Sequence, residues 1–160
     1  MVVFISGSVN SGKSTTSKLI AEKLGAERVD VDEIVSIPNF DLSKDIPEAI
    51  QQSIKHINNL TDNGKNVIAN YVLRQQDYEQ LSSGLTDPNQ HYFTLAPNLQ
   101  IALSNRGRGM NSWEYERIKY HYDTGIANPK FGTIIDTSNM SIETVANKII
   151  LYINKKTNSA

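Results

Sequence analysis

The sequence predicts an α/β fold: a five-stranded parallel sheet with helices on both faces. Three observations predict it. Short apolar runs of strand length alternate with runs of helical periodicity along the whole chain. The first run, residues 2–5, passes through a glycine-bounded turn straight into a helix-compatible segment. The chain has 160 residues, 39% hydrophobic and 21% charged, which is one domain in size and ordinary in composition.

The elements follow in order. Val2-Val3-Phe4-Ile5 is an unbroken apolar run, as expected of a strand buried on both faces. A helix over 13–24 leaves the turn and stops at Gly25. Residues 28–31 read as the second strand. Asp45-Ile46-Pro47-Glu48 opens a helix, with Asp45 as cap and proline in the first turn. Ile46, Ile50, Ile54, Ile57 and Leu60 then recur at helical spacing until Asn63-Gly64. Residues 66–70 are the third strand, and 74–81 a short helix closed by Gly84. Residues 91–95 are the fourth strand, and a helix over 97–104 begins at Pro97. Asn111-Ser112-Trp113-Glu114 has the capping-box pattern and opens a helix to about Tyr122. Residues 133–135 are the fifth strand. Ser141 caps a last helix with Ile142, Val145, Ala146, Ile149, Ile150 and Ile153 on one broad face. A single domain over 1–153 and a frayed polar tail over 154–160 are expected.

Bulk properties exclude several classes. Sixteen basic residues face seventeen acidic ones, for a net charge of −1. This balance favours neither nucleic acid nor an anionic membrane as a partner. The absence of cysteine excludes disulfides. No apolar run is long enough to span a membrane, and no targeting segment precedes the first strand, so a cytoplasmic location is expected.

The glycine-bounded turn carries the strongest chemical signal. Gly7-Ser8-Val9-Asn10-Ser11-Gly12-Lys13-Ser14 matches G-x-x-x-x-G-K-[ST], with the strand before it and the helix after it that the motif requires. Gly7 and Gly12 let the backbone curl so that successive N–H groups face phosphate oxygens. The helix N-terminus adds its positive end. Lys13 is placed to reach the β- and γ-phosphates, and the Ser14 hydroxyl to ligate Mg²⁺. Ser8, Asn10, Ser11 and Thr15 complete the expected phosphate-binding set.

Beyond the turn, the second strand is expected to run through Asp30-Val31-Asp32-Glu33, with Asp30 and Asp32 on one face. One carboxylate can hold Mg²⁺ through its waters, and the other can accept a proton from an attacking hydroxyl. Helix capping is the alternative use of either. The third strand ends Asn70-Tyr71 with no carboxylate, which leaves Asp30 as the expected magnesium partner. Asn70, Tyr71 and Arg74 are candidates to face an acceptor. Ser104-Asn105-Arg106-Gly107-Arg108-Gly109 reads as a cationic lid able to meet phosphate charge. Arg117 is placed either on a substrate anion or in a surface pair with Glu114. Trp113 and nearby tyrosines are expected in the core. His56, His91 and His121 have no ligand-like spacing.

This order of motifs, ending in IIDTS…S-x-E-T-V-A, resembles the small P-loop kinases related to nucleoside-monophosphate kinases. Shikimate, adenylylsulfate and gluconate kinases and chloramphenicol phosphotransferase are similar in style. The resemblance implies a P-loop NTPase sheet order of 2-3-1-4-5 and the use of ATP with Mg²⁺. It implies Asp30 facing magnesium, Asp32 as base or substrate anchor, Arg106 stacked on adenine and Arg108 on the phosphates. It also implies that Thr137, Ser138 and Asn139 border the adenine. The chain departs from the pattern in three places. Asn70-Tyr71-Val72 stands where shikimate kinase has three glycines, D-G-[FY]-P-R is missing, and no N-K-x-D follows an apolar strand. The expected activity is ATP- and Mg²⁺-dependent phosphorylation of a hydroxyl on a small molecule, either a metabolite or an antibiotic. The alternative is an ATPase-like nucleotide-binding regulator with no small-molecule acceptor. A polynucleotide kinase would need a basic strip that this composition does not favour.

Overall fold

The computed structural model describes residues 1–34, 45–105, 107 and 109–157. Strand β1 (Val2–Gly7) is the spine of the sheet, and all six of its residues are buried. Burial on both faces is why its sequence is continuously apolar rather than alternating. It pairs in parallel with β3 (Val67–Asn70) on one side and β4 (Gln90–Leu95) on the other. Strand β2 (Glu27–Asp30) adds beyond β3 and β5 (Thr133–Ile135) beyond β4, for the order β2-β3-β1-β4-β5. This is the expected order 2-3-1-4-5.

Alternation along β1 divides the core. Val2 and Phe4 face a cluster with Ile46, Ile50 and Ile57 of helix α3 (Asp45–Asp62) and Leu81 of α4 (Gln75–Gly84). Val3 and Ile5 face Ile20 of α1 (Lys13–Leu24) and Val145, Ala146, Ile149 and Ile153 of α7 (Ile142–Thr157). The isoleucine stripes read from the sequence are therefore the two faces that clamp the sheet. Helix α7 runs on to Thr157, past the expected start of the tail at Asn154. Among the described residues no helix is long and apolar enough to cross a membrane.

Local hydrogen bonding moved several boundaries. The chain does not continue as a strand through Asp32. It turns after Asp30 into α2 (Val31–Ile34). Asp30 causes the turn: its Oδ1 accepts the Asp32 N–H at 3.2 Å, and its Oδ2 takes Arg28 Nη2 at 2.7 Å. A short acidic side chain thus competes with the sheet ladder and wins. The expected shared strand face of Asp30 and Asp32 does not exist. Helix α5 (Leu99–Leu103) starts after Asn98, whose Oδ1 accepts the Ile101 N–H at 2.9 Å. Helix α6 (Ser112–Asp123) has the expected capping box of Asn111 and Glu114.

Arg74 is the cap of α4 rather than a free loop residue. The Asp77 carboxylate, 2% exposed, accepts the Arg74 N–H at 2.9 Å, Nε at 2.8 Å and Nη2 at 2.7 Å. Asp77→Ala should lower stability by about 2 kcal/mol, because it removes the cap and leaves a guanidinium unpaired. Asp77→Asn should recover part of the loss. Urea titration of the two variants checks this.

Candidate active site

Parallel sheets of this kind bind ligands at the carboxyl ends of their strands, where connections leave in opposite directions. Here that point is the end of β1, between β3 and β4. The chain leaves β1 at Gly7 (φ +146°) and curls back, with the Ser11 N–H on the Ser8 carbonyl at 3.2 Å. Asn10 adopts a left-handed φ of 60°, which asparagine tolerates. Its Nδ2 donates to the Ala102 carbonyl at 2.8 Å and the Ser104 carbonyl at 3.1 Å. These bonds tie the loop to the end of α5. Gly12 (φ 92°) then caps α1. The result is an open cleft of about 430 Å³ lined by the loop from Val9 to Thr15, including Lys13 and Ser14, and by Ile142 at the start of α7.

Thr137 and Ser138 lie on the connection that delivers Ile142. Ser138 is committed to local structure: its hydroxyl donates to Asp136 at 2.5 Å and accepts the Asn98 N–H at 2.9 Å. Thr137 is 4% exposed, and its hydroxyl has no partner. The expected lid residues Arg106 and Arg108 lie outside the described residues.

A second cleft, of about 380 Å³, shares Val9 and Lys13 with the first. It brings together Asp32 of α2, Tyr71 and Arg74 of the β3–α4 connection, and Arg117 of α6. Asp32 is exposed to solvent, although its carboxyl is partly desolvated by the cleft. Burial still raises its carboxyl above the ordinary value of 3.8; Lys13 pulls against this, and Asp30 and Glu33 add to it. Burial, followed by the Asp32 and Asp77 charges, pushes the Tyr71 hydroxyl up to about 12. Glu114 caps its own helix on the Asn111 N–H at 3.1 Å. Arg117 lies over the Tyr120 ring at 5.3 Å and lines the cleft.

The sequence reading missed two residues of this cleft. Trp113, expected in the core, is 60% exposed. His121, with no ligand-like spacing in the sequence, is 2% exposed with Nδ1 at 3.0 Å from the Ser8 hydroxyl. Burial first, then Arg117 and Lys13, lower its pKa to about 4, so the ring is neutral. A signal for both was present: Trp113, Arg117 and His121 recur every fourth position, so one face of α6 forms the wall.

Both oxygens of Asp30 are engaged, by Arg28 and by the Asp32 N–H. Asn70 ends β3 level with Asp30 and with Ile5 of β1, and is fully buried. The Ser17 hydroxyl lies 2.7 Å from Asn70 Oδ1 and 2.9 Å from the Ser14 carbonyl. One hydroxyl proton cannot serve both acceptors. A half-turn of the Asn70 amide resolves this, with Nδ2 donating to Ser17 and Ser17 to Ser14. In either orientation one amide atom of Asn70 is buried without a protein partner, as is the Ser11 hydroxyl. Such orphans are rare in folded proteins unless a ligand or water completes them. The residues therefore fit a phosphate-bound Mg²⁺ and its waters. Among the described residues no group of three or more His, Asp or Glu could hold a metal alone.

No protein-family model and no curated relative matches the chain. Solved structures do. A sugar kinase from a Janibacter species superposes with a TM-score of 0.75 at 16% identity, over 96% of this chain and 94% of that one. A gluconokinase from Sinorhizobium meliloti gives 0.75 at 13% identity, over 99% and 94%. A shikimate kinase from Acinetobacter baumannii, solved with shikimate, gives 0.62 at 19%, over 97% and 93%. The chain has the fold of the small P-loop kinases.

The depressed His121 pKa has a definite consequence for stability. Between pH 6.5 and about 4 the unfolded chain binds a proton at this position that the folded chain refuses. Stability should therefore fall as pH drops through that window. His121→Phe should show a weaker fall than the wild type, and chemical denaturation across pH 4–7 measures the difference.

Proposed function

We propose that the chain transfers the terminal phosphoryl group of ATP, with Mg²⁺, to a hydroxyl of a small acceptor. One observation carries this reading: the phosphate-loop cleft and the Asp32 cleft meet at Lys13. A cation at the junction of a phosphate site and a carboxylate-bearing pocket is what phosphoryl transfer needs. That structural neighbours include a sugar kinase, a gluconokinase and a shikimate kinase supports this class of reaction.

The roles follow from the geometry. Loop N–H groups and Lys13 hold the phosphates. The acceptor oxygen forms a bond to the γ-phosphorus while the bond to the departing diphosphate breaks. The hydroxyl proton goes to Asp32, whose raised pKa makes it a better base than an ordinary aspartate. Ser14, and Asn70 through water, are the residues that would hold Mg²⁺, which when bound neutralises phosphate charge. Asp30 instead shapes the turn that delivers Asp32. Tyr71, protonated across the physiological range, can donate a hydrogen bond to the acceptor.

The acceptor's chemistry can be read from the same wall. Arg74 is neutralised by Asp77, whereas Arg117 has no acidic partner within ion-pair distance among the described residues. Ile46, Val72, Trp113 and Ile126 supply apolar surface. An alcohol with an apolar face and an anionic group fits this lining better than a bare polyol does.

Lys13→Ala should lower turnover ~10²-fold or more while weakening nucleotide binding less, because lysine opposes charge that grows in the transition state. Asp32→Asn should remove transfer and leave calorimetric ATP binding nearly intact. Turnover of the wild type should rise with pH through an ionisation above 3.8, the Asp32 carboxyl becoming available as base. Wild-type transfer by Lys13→Ala would overturn the assignment.

A further inference from the structure

We propose that His121 is a positioning residue that couples the phosphate loop to the acceptor wall, through its bond to the Ser8 hydroxyl. The inference rests on the reading of the loop as the nucleotide site.

Ser8 and His121 are 0% and 2% exposed, and their side chains meet at 3.0 Å across 113 positions of sequence. A buried imidazole is costly unless its nitrogens are paired. If the site called only for packing, an apolar side chain would fill it without that cost. The ring sits instead where the two halves of the site join. On one side is the loop, whose Gly7 admits no side chain and whose Asn10 is fixed to the end of α5. Ser8 lies between them, so loop movement at Ser8 has one buried polar outlet, α6.

On the other side is the helix itself. Its inner end is anchored by Ile118, which is fully buried, and by the Tyr122 hydroxyl on the Pro97 carbonyl. Its outer part is exposed, with Trp113 60% and Tyr115 37% accessible. Trp113 and Arg117 share the His121 face. A shift of the His121 end therefore carries the apolar and cationic parts of the acceptor wall with it. Nucleotide on the loop and acceptor in the cleft are then linked, and the linkage acts in both directions. The charged groups facing the ring, Lys13 and Arg117, are both cations. Burial first, and these two cations after it, keep the ring neutral, so it bonds Ser8 as one neutral tautomer.

Trp113 is the chain's single tryptophan, so its emission reports on the outer end of this wall. The experiment uses the full chain with the magnesium complex of a non-hydrolysable ATP analogue. Each variant is titrated to saturation by calorimetry, and Trp113 emission and acrylamide quenching are then compared at saturation. The wild type should show a nucleotide-dependent change. Ser8→Ala and His121→Phe should each lose it, and the double variant should lose no more than either single one. His121→Asn, whose amide can replace Nδ1 toward Ser8, should retain it. Should His121→Phe fail to fold, Ser8→Ala, which removes one hydroxyl, decides the matter. A saturable wild-type complex with no Trp113 change overturns the coupling, as does an undiminished change in Ser8→Ala. Failure of the wild type to bind the analogue at all would instead overturn the nucleotide-site reading and the coupling with it.

Discussion

The carboxyl edge of the sheet, with both clefts, depends on how the chain leaves its central strand at Gly7. A Cβ there would lie 2.7 Å from the Leu95 carbonyl of β4 and 2.5 Å from the Ser11 hydroxyl. Neither position is open to a side chain, and the φ of +146° is one that L-residues rarely adopt. Glycine lets the loop fold back against the sheet instead of splaying away from it. From that single close approach follow the seating of Gly12 at the start of α1 and the placing of Lys13 between two clefts. The buried Ser8 hydroxyl is carried to the inner end of α6 by the same turn.

Around Lys13 the charges are arranged by burial more than by direct pairing. Asp32 has its carboxyl raised although a lysine is near. His121 has its proton removed by burial and two cations. Arg74, by contrast, is spent on Asp77 and serves the fold. This division leaves one weakly basic carboxylate, one neutral ring and one arginine facing the cleft.

How much of this was legible in the sequence depended on whether the signal was local. The buried run of β1, the isoleucine stripes of α3 and α7, the capping box of α6 and the phosphate loop are all encoded within a few residues, and each stands where the sequence put it. Alternation reads Asp30-Val31-Asp32 as strand, but the capping alternative holds instead, with Asp30 at the start of α2. The Asp30 carboxylate closes a turn onto Asp32 that alternation cannot reveal. Arg74, a candidate to face an acceptor, is drawn into the start of α4 because Asp77 serves as both cap partner and counter-ion. His121 was out of reach of motif reasoning, since its partner Ser8 lies on a distant element. Trp113 was assigned to the core on residue type, although its fourfold spacing with Arg117 and His121 marked a shared face.

The central claim is that the two clefts joined at Lys13 pass a phosphoryl group to an alcohol rather than to water. Turnover of ATP in ¹⁸O-enriched water, with anionic alcohols bearing an apolar face as acceptors, tests this directly by mass spectrometry of the products. The account predicts an organic phosphomonoester whose oxygens carry no label from solvent, with little labelled inorganic phosphate. Labelled inorganic phosphate as the sole product, unchanged by any acceptor, would contradict it and identify the chain as an ATPase.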